Sequence, residues 1–282
     1  MKIDNKAPTT IEFTRKTLTF LSKHAPLTQP ETVKAFIATL ETSDSYKRNI
    51  CIAYNRYCNF YQIQWNKPHY EQEQKNIALP TKEKLLMLIA KANPTVGTKL
   101  QMSMETGIRP IELCRLKVKN IDIDHKTVNP TTAKGGNPRT IPISANLTAK
   151  IQERILTKNL TPEDKLFGNV TADQYGRQYR TLRNKLATKL KDPSIRTIRL
   201  YDFRHYFCTK KLYDINNPYT VMVLMGHKKL QTTQRYMHLL TYADEEYTVA
   251  GATTAEQATK LMETGFQYMT TIEGIQLFRK RK

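Results

Sequence analysis

Residues 66 to 80, Asn-Lys-Pro-His-Tyr-Glu-Gln-Glu-Gln-Lys-Asn-Ile-Ala-Leu-Pro, most constrain what this chain can fold into. Two prolines and a polar run interrupt apolar periodicity, which resumes only after Pro80 with Thr-Lys-Glu-Lys-Leu-Leu-Met-Leu-Ile-Ala-Lys-Ala. Such a break marks a linker. The 282 residues therefore divide into domains that each need a core of their own.

Ahead of the break the spacing is helical. Val33, Phe36, Ile37 and Leu40 fall at i, i+3, i+4, i+7. Ile11, Phe13, Leu18, Phe20 and Leu21 form an apolar-rich segment before them. A third helix, Ser45 to about Trp65, carries the stripe Tyr46, Ile50, Ala53, Tyr54, Tyr57, Cys58 and Tyr61, with Lys47, Arg48 and Arg56 off it. Residues 1–66 are expected to form a small helical bundle with Tyr54, Tyr57 and Tyr61 in its core.

Beyond the linker (67–80) lies a second domain, 81–240, of mixed character. Asn120 to Asp124, Thr127 to Ala133 and Arg139 to Ser144 alternate well enough for three strands, and Pro130 and Pro142 imply edge positions or irregular pairing. Lys134-Gly135-Gly136-Asn137-Pro138 reads as the hairpin turn between the last two. Two helices follow in 145–192, the second from about Ala172 to Lys191 with Tyr175, Tyr179, Leu182, Leu186 and Leu190 on its apolar side. After residue 240 the pattern reads strand, helix, strand, strand: Tyr247 to Ala250, Thr254 to Thr264, Gly265 to Thr271 and Gly274 to Arg279. The fold class is mainly α with a small β-sheet, α+β, ending in a β-α-β-β appendage over 241–282.

Charge narrows the partners. Forty-five lysines and arginines oppose 25 acids, a formal net charge of +20. That excess fits a polyanion, nucleic acid or an anionic membrane surface. No apolar run approaches the ~20 residues of a spanning helix, and no signal-like block opens the chain, so no membrane partner is expected. Cys51, Cys58, Cys114 and Cys208 show no Cys-x-x-Cys spacing and read as buried thiols in a reducing, cytoplasmic compartment. Lys47, Arg48, Arg177, Arg180 and Arg183 are candidate phosphate contacts on their helices; a solvated charged face is the plainer alternative.

Chemistry concentrates in two stretches. In Met104 to Leu116, Arg109 follows a glycine turn, and Glu112 one helical turn later can hold its guanidinium. Gly107 permits the turn, and Pro110 suits a first helical position. In Leu200 to Tyr236 stand Arg204-His205, Gly226-His227 and, nine positions beyond His227, Tyr236. Guanidinium forks clamp phosphate oxygens, and a tyrosine hydroxyl can be the nucleophile that carries a broken strand.

These two stretches closely resemble the arginine motifs and C-terminal active-site half of the tyrosine recombinase (phage integrase) family, nearest to archaeal Xer-like integrases and their mobile elements. The resemblance implies a DNA-clamp role for 1–66 and a recombinase catalytic domain in 81–240. It implies Arg109, Arg204 and His227 around a phosphate, Lys134 on the hairpin as general acid, and Tyr236 forming a 3′-phosphotyrosyl bond. It implies double-stranded DNA as partner, a homotetramer on two DNA sites, a nucleoid location, and no cofactor or metal. One departure stands out. The family motif His-x-x-Arg-His is here Tyr201-Asp202-Phe203-Arg204-His205. A phenol with a pKa of about 10 is a poor base at neutral pH, so Tyr201 is expected to hydrogen-bond phosphate and His205 to pack or bond backbone. Two other readings share these residues: a type IB-like topoisomerase, and a catalytically silent DNA-binding protein.

Overall fold

The computed structural model describes residues 6–71, 77–133, 135–237, 239 and 247–281. These fall into two compact units, 1–76 and 77–282.

The first unit consists of α1 (Pro8–Leu21), α2 (Pro30–Thr39) and α3 (Asp44–Tyr61). Leu21, Val33, Ile37, Ile50, Cys51, Tyr54 and Cys58 close its core. The Tyr54 hydroxyl donates to the Leu27 carbonyl at 2.8 Å, so this buried phenol is satisfied. Tyr61 departs from the expected core position and is 58% exposed. The reason lies in the helix end: Gln62 turns left-handed at φ 55° and stops α3 before Trp65.

The second unit opens with α4 (Lys82–Ala90), α5 (Pro94–Thr106) and α6 (Pro110–Arg115). Among the described residues five α-helices begin with proline: α1, α2, α5, α6 and α10 (Pro218–Met225). There the missing N–H costs nothing and the fixed φ suits the helix. Helix α5 is the centre, packed against α4, α6, α7 (Ala145–Thr157), α8 (Ala172–Lys189) and α9 (Asp202–Ile215). Even Lys99 on it is buried, its ammonium 4.9 Å from the Tyr175 ring and 5.3 Å from that of Phe167. Burial lowers the pKa of that ammonium.

Strands β1 (Ile121–Asp122), β2 (Thr127–Val128) and β3 (Ile141–Pro142) pair antiparallel in that order. Each is far shorter than its alternation suggests. Proline at 130 and 142 supplies no ladder N–H, and the N–H of Ala133 is taken by the Glu112 carboxylate at 3.0 Å instead. Helix α11 (Leu230–Gln234) follows α10.

The appendage is a second antiparallel sheet of β4 (Tyr247–Ala252), β5 (Gln267–Ile272) and β6 (Ile275–Arg281), in the order β4-β6-β5, with α12 (Ala255–Glu263) between β4 and β5 in the chain. Phe278 and Ala252 are buried in it. Val249, Met262, Tyr268, Met269, Ile272 and Ile275 remain exposed, so this chain does not bury the apolar surface its sequence carries there. The fold is mostly helical with small antiparallel sheets.

Candidate active site

Arg109 caps the start of helix α6; its backbone N–H donates to Glu112 at 3.1 Å while its guanidinium donates to the same carboxylate at 2.8 Å. Glu112 is fully buried and also accepts from the Ala133 N–H and, at 2.6 Å, from Arg139. Four donors on one carboxylate join the start of α6 to the loop between β2 and β3. Burial alone would raise the pKa of that carboxyl. Arg139 and the backbone donors outweigh burial and hold it down at about 2. Lys134 lies outside the described residues.

Arg139 is a component that residue spacing missed. Its side chain is 1% exposed, and its Nε and Nη1 have no hydrogen-bond partner among the described residues. A signal was present: Arg139, Ile141 and Ile143 alternate onto one buried face.

From the other side, Arg204 on α9 is buried and donates to the carbonyls of Gly107 and, at 2.9 Å, Met225. It also meets His227 Nε2 at 3.0 Å. Both carbonyls end helices at left-handed glycine turns. Gly107 closes α5 at φ 62° with the Phe207 ring 2.5 Å from where a Cβ would stand. Gly226 closes α10 at φ 62° with Arg139 Nη1 2.8 Å from where a Cβ would stand. Only glycine meets both demands. Burial, then the charge of Arg109, lowers the Arg204 pKa to about 10, and it stays cationic at neutral pH.

A guanidinium can only donate, so His227 Nε2 accepts from Arg204 and Nδ1 carries the proton toward Thr233 Oγ1 at 2.9 Å. Burial, then Arg204, Arg109 and Arg139, push the His227 pKa down to about 3. Its imidazole is neutral. Thr233 is fully buried on α11, three residues before Tyr236, and so couples the histidine to the segment that carries Tyr236.

Tyr236 is 5% exposed, and its hydroxyl lies 2.8 Å from His205 Nδ1. His205 packs its ring against Tyr201 and Tyr236, and what it bonds is this hydroxyl and not backbone. Helix geometry explains it: Arg204 and His205 are consecutive on α9 and point about 100° apart, one toward His227 and the other toward Tyr236. Tyr201, which precedes α9, is 40% exposed with its ring 5.4 Å from that of His205.

The outlying basic candidates divide. Arg48, Arg177 and Arg180 are exposed. Lys47 donates to the Ala38 carbonyl at 3.0 Å. Arg183 turns inward, donating to the Ile198 carbonyl at 3.0 Å beside the Tyr179 ring. Among the described residues no cluster of three or more His, Cys, Asp or Glu side chains could hold a metal ion.

Among the described residues the site therefore gathers Arg109, Arg139 and Arg204 around His227 and the Glu112 carboxylate, next to a buried tyrosine bonded to His205. Residues 72–242, more than half of the chain, match the model of the phage integrase family. The chain belongs to that family. Among curated family relatives, a tyrosine recombinase of Pseudothermotoga lettingae is 27% identical over 174 residues, 61% of this chain and 59% of that protein. Tyrosine recombinase XerA of Saccharolobus solfataricus is 32% identical over 141 residues, 50% of this chain and 45% of that protein. The matched region thus spans roughly half the length of these relatives. Among solved integrases, the Tn1549 transposon integrase in complex with circular intermediate DNA superposes with TM-score 0.66 at 16% identity, over 93% of this chain and 95% of that one. A lambda integrase dimer bound to a COC′ core site gives TM-score 0.64 at 12% identity, over 82% of this chain and 89% of that one. These two share the integrase fold with this chain. No helix among the described residues is long and apolar enough to cross a membrane.

Proposed function

We propose that this protein is a site-specific DNA recombinase that cuts and rejoins strands through a 3′-phosphotyrosyl bond on Tyr236. The reading is carried by one observation. The Arg204 guanidinium is bonded to the neutral His227 in a group with Arg139, which is also buried, and the half-buried Arg109, where among the described residues Glu112 is the one carboxylate paired to these arginines. Such a preorganised excess of donors suits a phosphodiester whose oxygens gain charge under attack. Membership of the phage integrase family and the DNA-bound state of the structural neighbours support DNA as the substrate.

In this mechanism the scissile phosphate sits between Arg109 and Arg204, and His227 rests beside it. The Tyr236 oxygen attacks phosphorus, and the 5′-oxygen departs with a proton from Lys134. Glu112 anchors the Ala133 N–H immediately before that lysine, so one buried carboxylate serves both Arg109 and the hairpin. The bond energy is kept in the phosphotyrosyl ester, so the chemistry calls for neither ATP nor a metal. A partner strand's 5′-hydroxyl reverses the step, with four protomers on two duplexes, residues 1–66 clamping the DNA, and a nucleoid location.

The test uses nicked suicide duplexes carrying the cognate site. Wild type should form a covalent adduct that peptide mass mapping places on Tyr236, and Tyr236→Phe should form none. An adduct on Tyr219 or Tyr247, or none in wild type, overturns the proposal. Relaxed supercoils without recombinant product would reassign the chain to topoisomerase chemistry.

A further inference from the structure

A nucleophilic hydroxyl must lose its proton, and the position that resembles the usual histidine holds Tyr201, a phenol. The chain supplies another group. Tyr201 and His205 stand at i and i+4, on one face of the α9 start, and the imidazole is one turn further along. From there His205 Nδ1 reaches the Tyr236 hydroxyl at 2.8 Å, inside the 2.6–3.2 Å window for proton transfer. We propose that His205 accepts the proton of Tyr236 during attack on the phosphate. This rests on the recombinase reading above and adds to it a proton acceptor.

The surroundings suit that role. Tyr236 is buried, so no bulk water competes for its hydroxyl. Tyr201, Cys208, Arg204 and Arg235 are the other titratable or charged groups acting on Tyr236. Around His205 stand Asp202, Arg199, Arg204 and Arg235. Burial and the three arginines outweigh Asp202, lower the His205 pKa to about 4, and leave its ring neutral with a lone pair available. The same arginines make it a weak base while the site is empty. A DNA phosphate beside Arg204 adds negative charge to that field and strengthens the imidazole as a base when the substrate arrives. The step balances. The Tyr236 oxygen–phosphorus bond forms, the phosphorus–O5′ bond breaks, the tyrosine proton moves to His205 Nδ1, and the leaving oxygen takes its proton from Lys134. Religation returns both protons.

The experiment is single-turnover adduct formation on the suicide duplex, with binding of the same duplex measured in parallel. His205→Ala should slow adduct formation by ~10²-fold or more, the scale of losing general base catalysis, and added imidazole should restore part of the rate. His205→Asn keeps an acceptor near the Nδ1 position without a proton-accepting nitrogen, and should be slowed to a similar degree at unchanged DNA affinity. A wild-type rate in His205→Asn overturns the proposal, as does a slow His205→Ala that imidazole does not rescue. Should both variants fail to fold, nitrogen-15 NMR of the wild-type ring decides: an unprotonated Nδ1 that shifts in Tyr236→Phe supports the proposal, and a protonated Nδ1 overturns it. Absence of any adduct in wild type removes the recombinase reading and this proposal together. A normal adduct with an indifferent His205 removes only this one.

Discussion

Glu112 and Arg139, 27 positions apart, meet in a fully buried ion pair at 2.6 Å. The pair fastens the start of α6 to the β3 side of the hairpin, and the remaining lone pairs of the carboxylate hold Arg109 and Ala133. Its stability is pH-dependent with a definite sign. The folded carboxyl, at about 2, lies below the ordinary glutamate value. The stabilisation is therefore complete above about pH 5 and is lost as pH falls toward 2. It amounts to something on the order of 3 kcal/mol. Thermal melts from pH 7 to pH 2 should show wild type converging on Glu112→Gln as pH falls; a constant gap would contradict the argument. Arg139→Met, which leaves the carboxylate with Arg109 and two backbone donors, should cost ~1.5–3 kcal/mol at pH 7.

Gly226 and Gly168 both have positive φ, but only Gly226 is crowded, with Arg139 Nη1 2.8 Å and the Asn137 carbonyl 3.0 Å from a built Cβ; nothing lies within 4 Å at Gly168. Gly168→Ala should cost only the backbone penalty, about 1–2 kcal/mol. Gly226→Ala should cost more in urea denaturation and also slow adduct formation, because the methyl pushes Arg139 from Glu112. Equal losses at the two positions would show that the crowding is harmless.

Tyr201 is partly exposed and is expected to contribute one hydrogen bond to a phosphate oxygen. Tyr201→Phe should slow cleavage by no more than that bond, about 0.5–1.5 kcal/mol or roughly tenfold at most. Loss of all cleavage with DNA binding intact would assign the hydroxyl an essential chemical role.

The basic face of α8 divides by geometry. Arg177 and Arg180 are exposed, and alanine at either should weaken DNA binding and lower the salt slope by about 1. Arg183 is committed to the Ile198 carbonyl and the Tyr179 ring. Arg183→Ala should lower the melting temperature and leave the salt slope unchanged. Fluorescence anisotropy across a salt series separates the two behaviours.

Removal of the chain after Glu245 should leave the fold and single-site cleavage measurable. The main core of the second unit draws no described side chain from beyond Leu239. Two-site recombination should fall, because exposed Val249, Met262, Ile272 and Ile275 are then unavailable to a neighbouring protomer. Equal loss of cleavage and recombination in a folded truncation would place the appendage in the active-site scaffold.

Helix identity was readable along the chain because its signals are local. Proline at 30, 94, 110 and 218 starts helices where the missing N–H is harmless, and apolar period sets which face is buried. The appendage shows the same legibility: its strand, helix, strand, strand order appears in the structure with boundaries displaced by a few residues at most. The first-domain aromatic stripe was less secure. Periodicity places Tyr54 and Tyr61 on one side of α3, but only Tyr54 lies beneath α1 and α2, while Tyr61 stands at the exposed end of the helix.

Arg109, Glu112, Arg204, His227 and Tyr236 were marked out by two short motifs and their resemblance to the tyrosine recombinase family, each residue being ordinary when taken singly. What those residues bond to could not be read from the motifs. Arg139 looks like a surface charge entering a strand until the fold brings it onto Glu112, and Thr233 looks like a helix residue until His227 turns toward it. His205 is the plainest instance: along the chain it is the residue after an arginine, and only the packing of α9 against the segment after α11 sets its ring nitrogen on the Tyr236 hydroxyl. Sequence by itself pointed to the motif residues of the site, since a motif and its turn lie along the chain, but not to Arg139 or Thr233, which enter it only through the fold. Tertiary structure alone decided their partners and protonation, because burial and the charges gathered from distant segments set whether an imidazole is neutral and which hydroxyl it meets.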